Sequence, residues 1–337
     1  KRFIMINKQF TLAGRPVGRP IEDSDFEYKE SEIGELNENQ VLLENLVIEF
    51  QPAQKGWMEQ ISNYVAPLEI GDVMRCGGIA RVLESKSKKF KKGDIVSGQT
   101  CWQTHPILNA EEIEKVEDET MATKYLGALG STGLTAYFGV TKISKPKPGD
   151  TVVITGAAGG VGSVAGQIFK IAGCKVIGIA GGKEKCDILI NEFGFDGAVD
   201  YKSEDINEAL KNLCPEGANI LYDNVGGRIL NDCLNHIAMN ARIAICGIIS
   251  RHKTDNSNFG PENYANLIFK RATMEGFIVI DFMSESGEAR KKLKKWISEG
   301  RINCKEDIQV GFENAPKTLR RLFESKNKGK QLLKIAD

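Results

Sequence analysis

The chain has 337 residues, 41% of them hydrophobic and 27% charged, which is enough for two domains with separate cores. Basic and acidic residues stand at 45 each, so the net charge is zero and neither a nucleic-acid binder nor a membrane-surface protein is favoured. No apolar run approaches the roughly 18–20 residues that cross a bilayer, and eight scattered cysteines read as reduced thiols of a cytoplasmic protein.

In chain order, residues 1–10 lack the long apolar core of a secretory signal. Apolar runs at 41–50, 79–83 and 95–97 are parted by turn residues at Asp72, Gly77-Gly78 and Lys92-Gly93-Asp94, which predicts a β-rich, partly closed sheet. A longer segment at 124–140 is rich in Leu, Ala, Gly and Tyr. Beyond Asp150 strands and helices alternate. Strand Thr151–Thr155 precedes a helix burying Val161, Val164, Ala165, Ile168 and Ala172. Strand Lys175–Ala180 precedes a helix with Cys186, Leu189, Ile190 and Phe193 inward, ended by Gly194. A strand at 198–201 leads to a helix capped by Ser203 that buries Ile206, Ala209, Leu210 and Leu213. Then come a strand at 220–222, a helix face of Leu230, Cys233, Leu234 and Ile237, and a strand at 243–246. A helix at 264–271 and a strand at 275–280 follow. Segment 290–299 predicts a solvated helix with Leu293, Trp296 and Ile297 turned inward. The alternation implies an α/β fold with a parallel sheet covered on both faces.

The first of these strands runs into Gly156-Ala-Ala-Gly-Gly-Val-Gly162 and then a helix, fitting A-x-G-x-x-G at Ala157, Gly159 and Gly162. Gly159 lets backbone approach a pyrophosphate, and Gly162 lets the helix pack on the strand. Gly160 and Val161 open the helix, whose N-terminal N–H groups and dipole favour the phosphates. An NAD site needs an acid after the second strand. Here that strand ends in Gly181-Gly182-Lys183-Glu184-Lys185, with room for a 2′-phosphate and lysines to meet it, so NADP is favoured; Glu184 keeps the ribose-acid alternative open. Tyr201, after the third strand, is a candidate wall of the same pocket.

The chain resembles the zinc-independent medium-chain dehydrogenase/reductases, and within them the alkenal double-bond reductases with the prostaglandin (leukotriene) and curcumin reductases. The match runs nearly end to end. It includes Gly14-Arg-Pro-Val-Gly-Arg-Pro20, Ile70-Gly-Asp-Val-Met-Arg75, Gly130-Ser-Thr-Gly-Leu-Thr-Ala-Tyr-Phe138, the glycine turn with Ser163, Glu184-Lys-Cys186, Tyr222-Asp-Asn-Val-Gly-Gly227, Met274-Glu-Gly-Phe-Ile-Val279 and Gly329-Lys330. The resemblance implies a GroES-like substrate domain, 1–128 with 307–337, and a Rossmann NADP-binding domain, 129–306. It implies that Lys185 and Tyr201 contact the 2′-phosphoribose. It also implies that Asn224 and the backbone around Cys246-Gly247 and Phe277-Ile278-Val279 lie near the nicotinamide, that Ser250 binds the cofactor, and that Asn327 reaches it. A homodimer through the Rossmann sheet edge is implied as well, with the strand at 275–280 as the candidate edge. Two positions depart from the group. Phe269 stands where plant and mammalian members have a tyrosine that bonds the substrate carbonyl, and Ser250-Arg-His252 stands where a tyrosine is usual near Ser250. Tyr64, Tyr264 and the ribose hydroxyl are the remaining candidate donors.

Zinc-dependent relatives need an early cysteine ligand, a Gly-His-Glu element and a four-cysteine lobe. The corresponding segments read Glu49-Phe-Gln-Pro-Ala53 and Arg75-Cys-Gly-Gly78, without any C-x-x-C, so no metal is expected. Trp102 and His105 are read as lining the substrate cleft, and His236 as a helix-surface histidine without a partner. Reduction of an activated C=C bond needs no Lewis acid, because the β-carbon of an enone accepts hydride directly and the enolate oxygen needs a hydrogen-bond donor. The expected activity is therefore NADPH-dependent reduction of α,β-unsaturated aldehydes and ketones, in a cleft between the two domains. An NADPH:quinone oxidoreductase and a non-enzymatic NADPH-binding structural or regulatory protein are the alternatives.

Overall fold

A computed structural model describes residues 5–60, 64–252 and 260–337. It divides into two units, Lys1–Leu126 with Glu306–Asp337 and Gly127–Lys305. The spine of the first unit is the long strand Gln40–Glu49. It pairs antiparallel with Gly78–Ser85, with Ile107–Asn109 and with the chain's last strand, Lys330–Lys334. Glu306–Val310 lies parallel to that last strand, while Ile95–Gly98 and Ile113–Lys115 extend the other side, so the C-terminus completes a sheet begun near the N-terminus. A separate hairpin pairs Ile6–Leu12 with Phe26–Glu32.

Trp102 corrects its expected place in the substrate cleft. It is fully buried, stacked on Phe26 at 5.3 Å and tilted against Phe50 at 5.2 Å, inside the cluster that includes Phe10, Met58 and Leu319. Its large apolar surface makes it a core residue of the first unit. His105 is half-buried, with its Nδ1 2.9 Å from the Thr104 hydroxyl and its backbone N–H donating to Asn7 at 2.9 Å; burial lowers its pKa.

The second unit carries six strands: β1 Thr151–Thr155, β2 Lys175–Ala180, β3 Gly197–Asp200, β4 Ala218–Asp223, β5 Ile237–Ile245 and β6 Thr273–Gly276. All pair in parallel, in the order β3-β2-β1-β4-β5-β6. This is the doubly wound order of two mononucleotide halves, with its switch point between β1 and β4. Val152, Val153 and Ile154 are buried on both faces, as the unbroken β-branched run requires. Each such side chain contributes about 1.5–3 kcal/mol by leaving water. The intervening helices are α1 Gly160–Ile171, α2 Lys183–Asn191, α3 Ile206–Leu213 and α4 Gly227–Leu234.

Several details depart from the sequence reading. In α2 Ile188 is buried beside the expected Leu189 while Ile190 is 40% exposed; Phe193, just past the helix, is buried as expected. The cap of α3 is Asp205, whose carboxylate accepts from Glu208 N–H at 2.9 Å; the Ser203 hydroxyl is engaged elsewhere, donating to Asp200. Ile237 opens β5 rather than closing a helix face. His236 has a partner, its Nε2 lying 3.1 Å from the Asn207 side-chain oxygen. The helix expected at 264–271 is the single short turn Asn266–Lys270. The last strand stops at Gly276 instead of running to Ile280, since Phe277 leaves the sheet to pack beside Tyr222 and Gly139.

Candidate functional site

Fourteen of the residues singled out from sequence share one location in the second unit. The turn Ala157–Gly162 follows β1, Lys185 lies beyond β2, Tyr201 follows β3, Asn224 follows β4, Cys246-Gly247 and Ser250 follow β5, and Phe277-Ile278-Val279 follow β6. Each strand of the parallel sheet thus delivers its candidates just past its carboxyl end. That is where open α/β sheets bind ligands, at the crevice of the switch point.

The turn after β1 is tightly packed. A Cβ at Gly162 would run into the Gly156 carbonyl oxygen and sit 2.8 Å from the Ala157 Cα, so only glycine lets α1 start this close to β1. A Cβ at Gly159, the residue preceding α1, would lie 3.3 Å from the same oxygen. Ala157 is fully buried, and its methyl fits against Gly178 of β2. Gly160 and Val161 are half-exposed and begin a twelve-residue helix, so their N–H groups belong to the first turn, which has no intrahelical acceptors.

Gly181 serves the tyrosine rather than leaving an empty space. A Cβ there would sit 2.8–2.9 Å from the Tyr201 ring and hydroxyl. Tyr201 therefore lies over the Gly181 backbone, half-exposed, beside the turn that leads to half-buried Lys185. Lys183 is solvated and bonds Asp187 at 2.5 Å, and Glu184 is exposed.

At the switch point the sequence reading missed a buried carboxylate. Asp223, the last residue of β4, is fully buried and accepts from the Thr155 hydroxyl at 2.6 Å, from Gly226 N–H at 2.9 Å and from Val225 N–H at 3.2 Å. Burial pushes its carboxyl above the usual range, against those bonds. Asn224 in turn donates its backbone N–H to the Thr155 hydroxyl at 2.9 Å and its side-chain amide to the Thr155 carbonyl at 2.8 Å. This lattice ties the ends of β1 and β4 and fixes Asn224. An acid ending an apolar strand and followed by two glycines was the signal available in the sequence.

Cys246 and Phe277 are placed by packing. The Cys246 thiol shares a hydrogen bond with the buried Tyr222 hydroxyl, which also bonds the Thr135 carbonyl at 3.2 Å, and burial pushes the thiol up to about 12. It is a neutral wall at neutral pH. The Phe277 ring meets Tyr222 edge-on with centroids 6.3 Å apart. The Ser250 hydroxyl donates to the Val225 carbonyl at 2.5 Å and covers Gly226 and Gly227.

Three candidates stand outside this group. Tyr264 belongs to a segment tied to α4 near its C-terminal end: Glu262 N–H and Asn263 bond Asn231, and the Asn266 amide bonds the Leu234 carbonyl at 3.1 Å. That end of α4 leads back to the amino end of β5, so Tyr264 is not brought together with the others. Phe269, 64% exposed, lies on the same edge segment. Tyr64 and Asn327 belong to the first unit. After Tyr64, Leu68 N–H donates to the Trp57 carbonyl at 2.8 Å and Arg75 donates to the Ala66 carbonyl at 3.2 Å. The Asn327 amide donates to the Gly329 carbonyl at 2.9 Å. Among the described residues no group of three or more His, Cys, Asp or Glu is placed to hold a metal ion, and no helix is long and apolar enough to cross a membrane.

Comparison with known proteins shows the family. Residues 8–116 match the family model described as the N-terminal domain of oxidoreductase, and residues 160–298 match the one described as zinc-binding dehydrogenase. The second match excludes the segments at 49–53 and 75–78. The chain is 36% identical to the NADPH-dependent curcumin reductase of Escherichia coli, over 98% of this chain and 97% of that one. It is 37% identical to the NADP(+)-dependent 2-alkenal reductase of Nicotiana tabacum, over 98% of each. The crystal structure of CurA from Vibrio vulnificus in complex with NADPH superposes with a TM-score of 0.92 at 35% identity, covering 98% of this chain and 99% of that one.

Proposed function

Because the chain belongs to the zinc-independent medium-chain dehydrogenase/reductases, in the group of the curcumin and 2-alkenal reductases, we propose that it is an NADPH-dependent reductase of activated C=C bonds in α,β-unsaturated aldehydes and ketones. The observation that carries this reading is the convergence of a glycine turn, a lysine–tyrosine pair and Asn224 beyond the carboxyl ends of one parallel sheet. The dinucleotide, when bound, would supply a hydride from nicotinamide C4 to the acceptor's β-carbon and leave as NADP+, and the resulting enolate would take its α-carbon proton from a tyrosine or from solvent.

The residues of this chain supply the rest. The first turn of α1, from Gly160, holds the diphosphate through backbone N–H groups. Lys185 and the Tyr201 hydroxyl hold the 2′-phosphate by charge-assisted hydrogen bonds. Asn224, locked by Thr155, orients the carboxamide end. The enolate oxygen formed on the substrate needs one donor, for which the Tyr64 hydroxyl and the ribose hydroxyl are the proposed groups. The working form is a homodimer joined at the edge strand β6, which is flanked in sequence by exposed Ile268 and Phe269 before it and by exposed Ile280 and Met283 after it. The scattered thiols support a cytoplasmic setting.

The test is NADPH consumption with a panel of enals, enones, quinones and saturated aldehydes. Fastest turnover of the enals or enones is expected. Faster turnover of quinones, or activity on saturated aldehydes alone, contradicts the reading.

A further inference from the structure

The ribose end of the cradle is assembled from two loops that leave different strands. Lys185 stands in the first turn of α2, which follows β2, and Tyr201 is the first residue after β3. Asp200, the last residue of β3 and 8% exposed, joins them. Its Oδ1 accepts from Gly182 N–H at 2.7 Å across the gap between strands and from Lys202 N–H at 3.0 Å; its Oδ2 accepts from the Ser203 hydroxyl at 2.8 Å. Its own N–H donates to Glu204 Oε2 at 2.7 Å, so the aspartate is fixed from both sides.

Gly182 immediately precedes α2, and its carbonyl accepts from Lys185 N–H at 3.1 Å. The amide that Asp200 holds therefore belongs to the turn that aims Lys185. On the other side, Tyr201 N–H donates to the Ala180 carbonyl at 3.1 Å and its ring lies over Gly181. We propose that Asp200 is a positioning residue for cofactor selectivity: it ties the Gly182 turn to the end of β3 and so holds Lys185 and Tyr201 in one arrangement that fits a 2′-phosphate. This rests on the NADPH reading above.

Two effects oppose each other at this aspartate. As a carboxylate close to a phosphate pocket it is a like charge, but three donors are turned on it. The Gly182 amide, foremost among them, holds its carboxyl below the usual range, so the group is ionised at neutral pH. Positioning and repulsion predict opposite results on substitution.

The experiment is calorimetric titration of the full chain with NADPH and with NADH, for the unsubstituted protein and for Asp200→Ala, Asp200→Asn and Lys185→Ala. Asp200→Ala is expected to weaken NADPH by about tenfold or more while NADH changes by less than about twofold, since only the first ligand presents the phosphate. Asp200→Asn keeps an oxygen for the two amides and is expected to retain most of the preference. Should Asp200→Ala fail to fold, Asp200→Ser, too short to span both amides, is read the same way. Equal weakening of both nucleotides, or tighter NADPH binding in Asp200→Ala and Asp200→Asn, overturns the proposal. If Lys185→Ala abolishes the preference and Asp200→Ala preserves it, the cofactor reading stands and this inference falls. If the unsubstituted protein binds both nucleotides equally, both fall.

Discussion

Lys185 is the residue on which nucleotide choice turns in this account. A charge-assisted contact to phosphate is worth about 1.5–3 kcal/mol, or roughly 10- to 150-fold in affinity. Lys185→Ala is therefore expected to raise the dissociation constant for NADPH by that factor and to leave NADH nearly unchanged, as read by quenching of intrinsic fluorescence; an equal effect on both removes Lys185 from the site. At this scale the sequence was most legible where a residue type has one physical use. Gly162 is needed because the Gly156 carbonyl and Ala157 crowd its α-carbon, and the glycine spacing announces that crowding. It was least legible where a side chain has two uses. Trp102 reads equally as a cleft wall or a core residue, and contacts with Phe26 and Phe50, distant in sequence, decided for the core. Asp223 was overlooked for a related reason: the Thr155 hydroxyl that it accepts from is 68 residues away in the chain.

Strands buried on both faces read directly from their β-branched runs, so β1 and β2 fall on the residues expected. The apolar run at 275–280 misled, because strand residues and a segment leaving the sheet share the same composition. Phe277 turns into the notch over Gly139 beside Tyr222, and the residues from Val279 coil into a tight helix instead. The outcome leaves β6 as a short edge strand, paired among the described residues with β5 alone, and a flanking turn that exposes Ile268 at 73% and Phe269 at 64%. An apolar edge of this kind is a template for pairing with another chain. Charge placed there, as Ile268→Lys with Phe269→Lys, is expected to shift the sedimentation coefficient from that of a dimer to that of a monomer, with the circular dichroism spectrum retained. A dimer that survives both substitutions places the interface elsewhere.

For the whole molecule, the alternation of strands and helices beyond Asp150 was enough to predict a parallel sheet. The strand order that creates its switch point depends on pairings between segments distant in sequence, which local pattern does not encode. The same order explains why candidates drawn from six separate stretches of sequence meet past the carboxyl ends of the strands. The chemistry assigned to that meeting point is hydride delivery to carbon, with the carbonyl left intact. It is tested most directly by supplying NADPH deuterated at nicotinamide C4 together with an α,β-unsaturated ketone and locating the label in the product by NMR. A saturated ketone with deuterium on the β-carbon from one of the two C4 faces is the expected product; an allylic alcohol labelled at the former carbonyl carbon would contradict hydride delivery to the alkene.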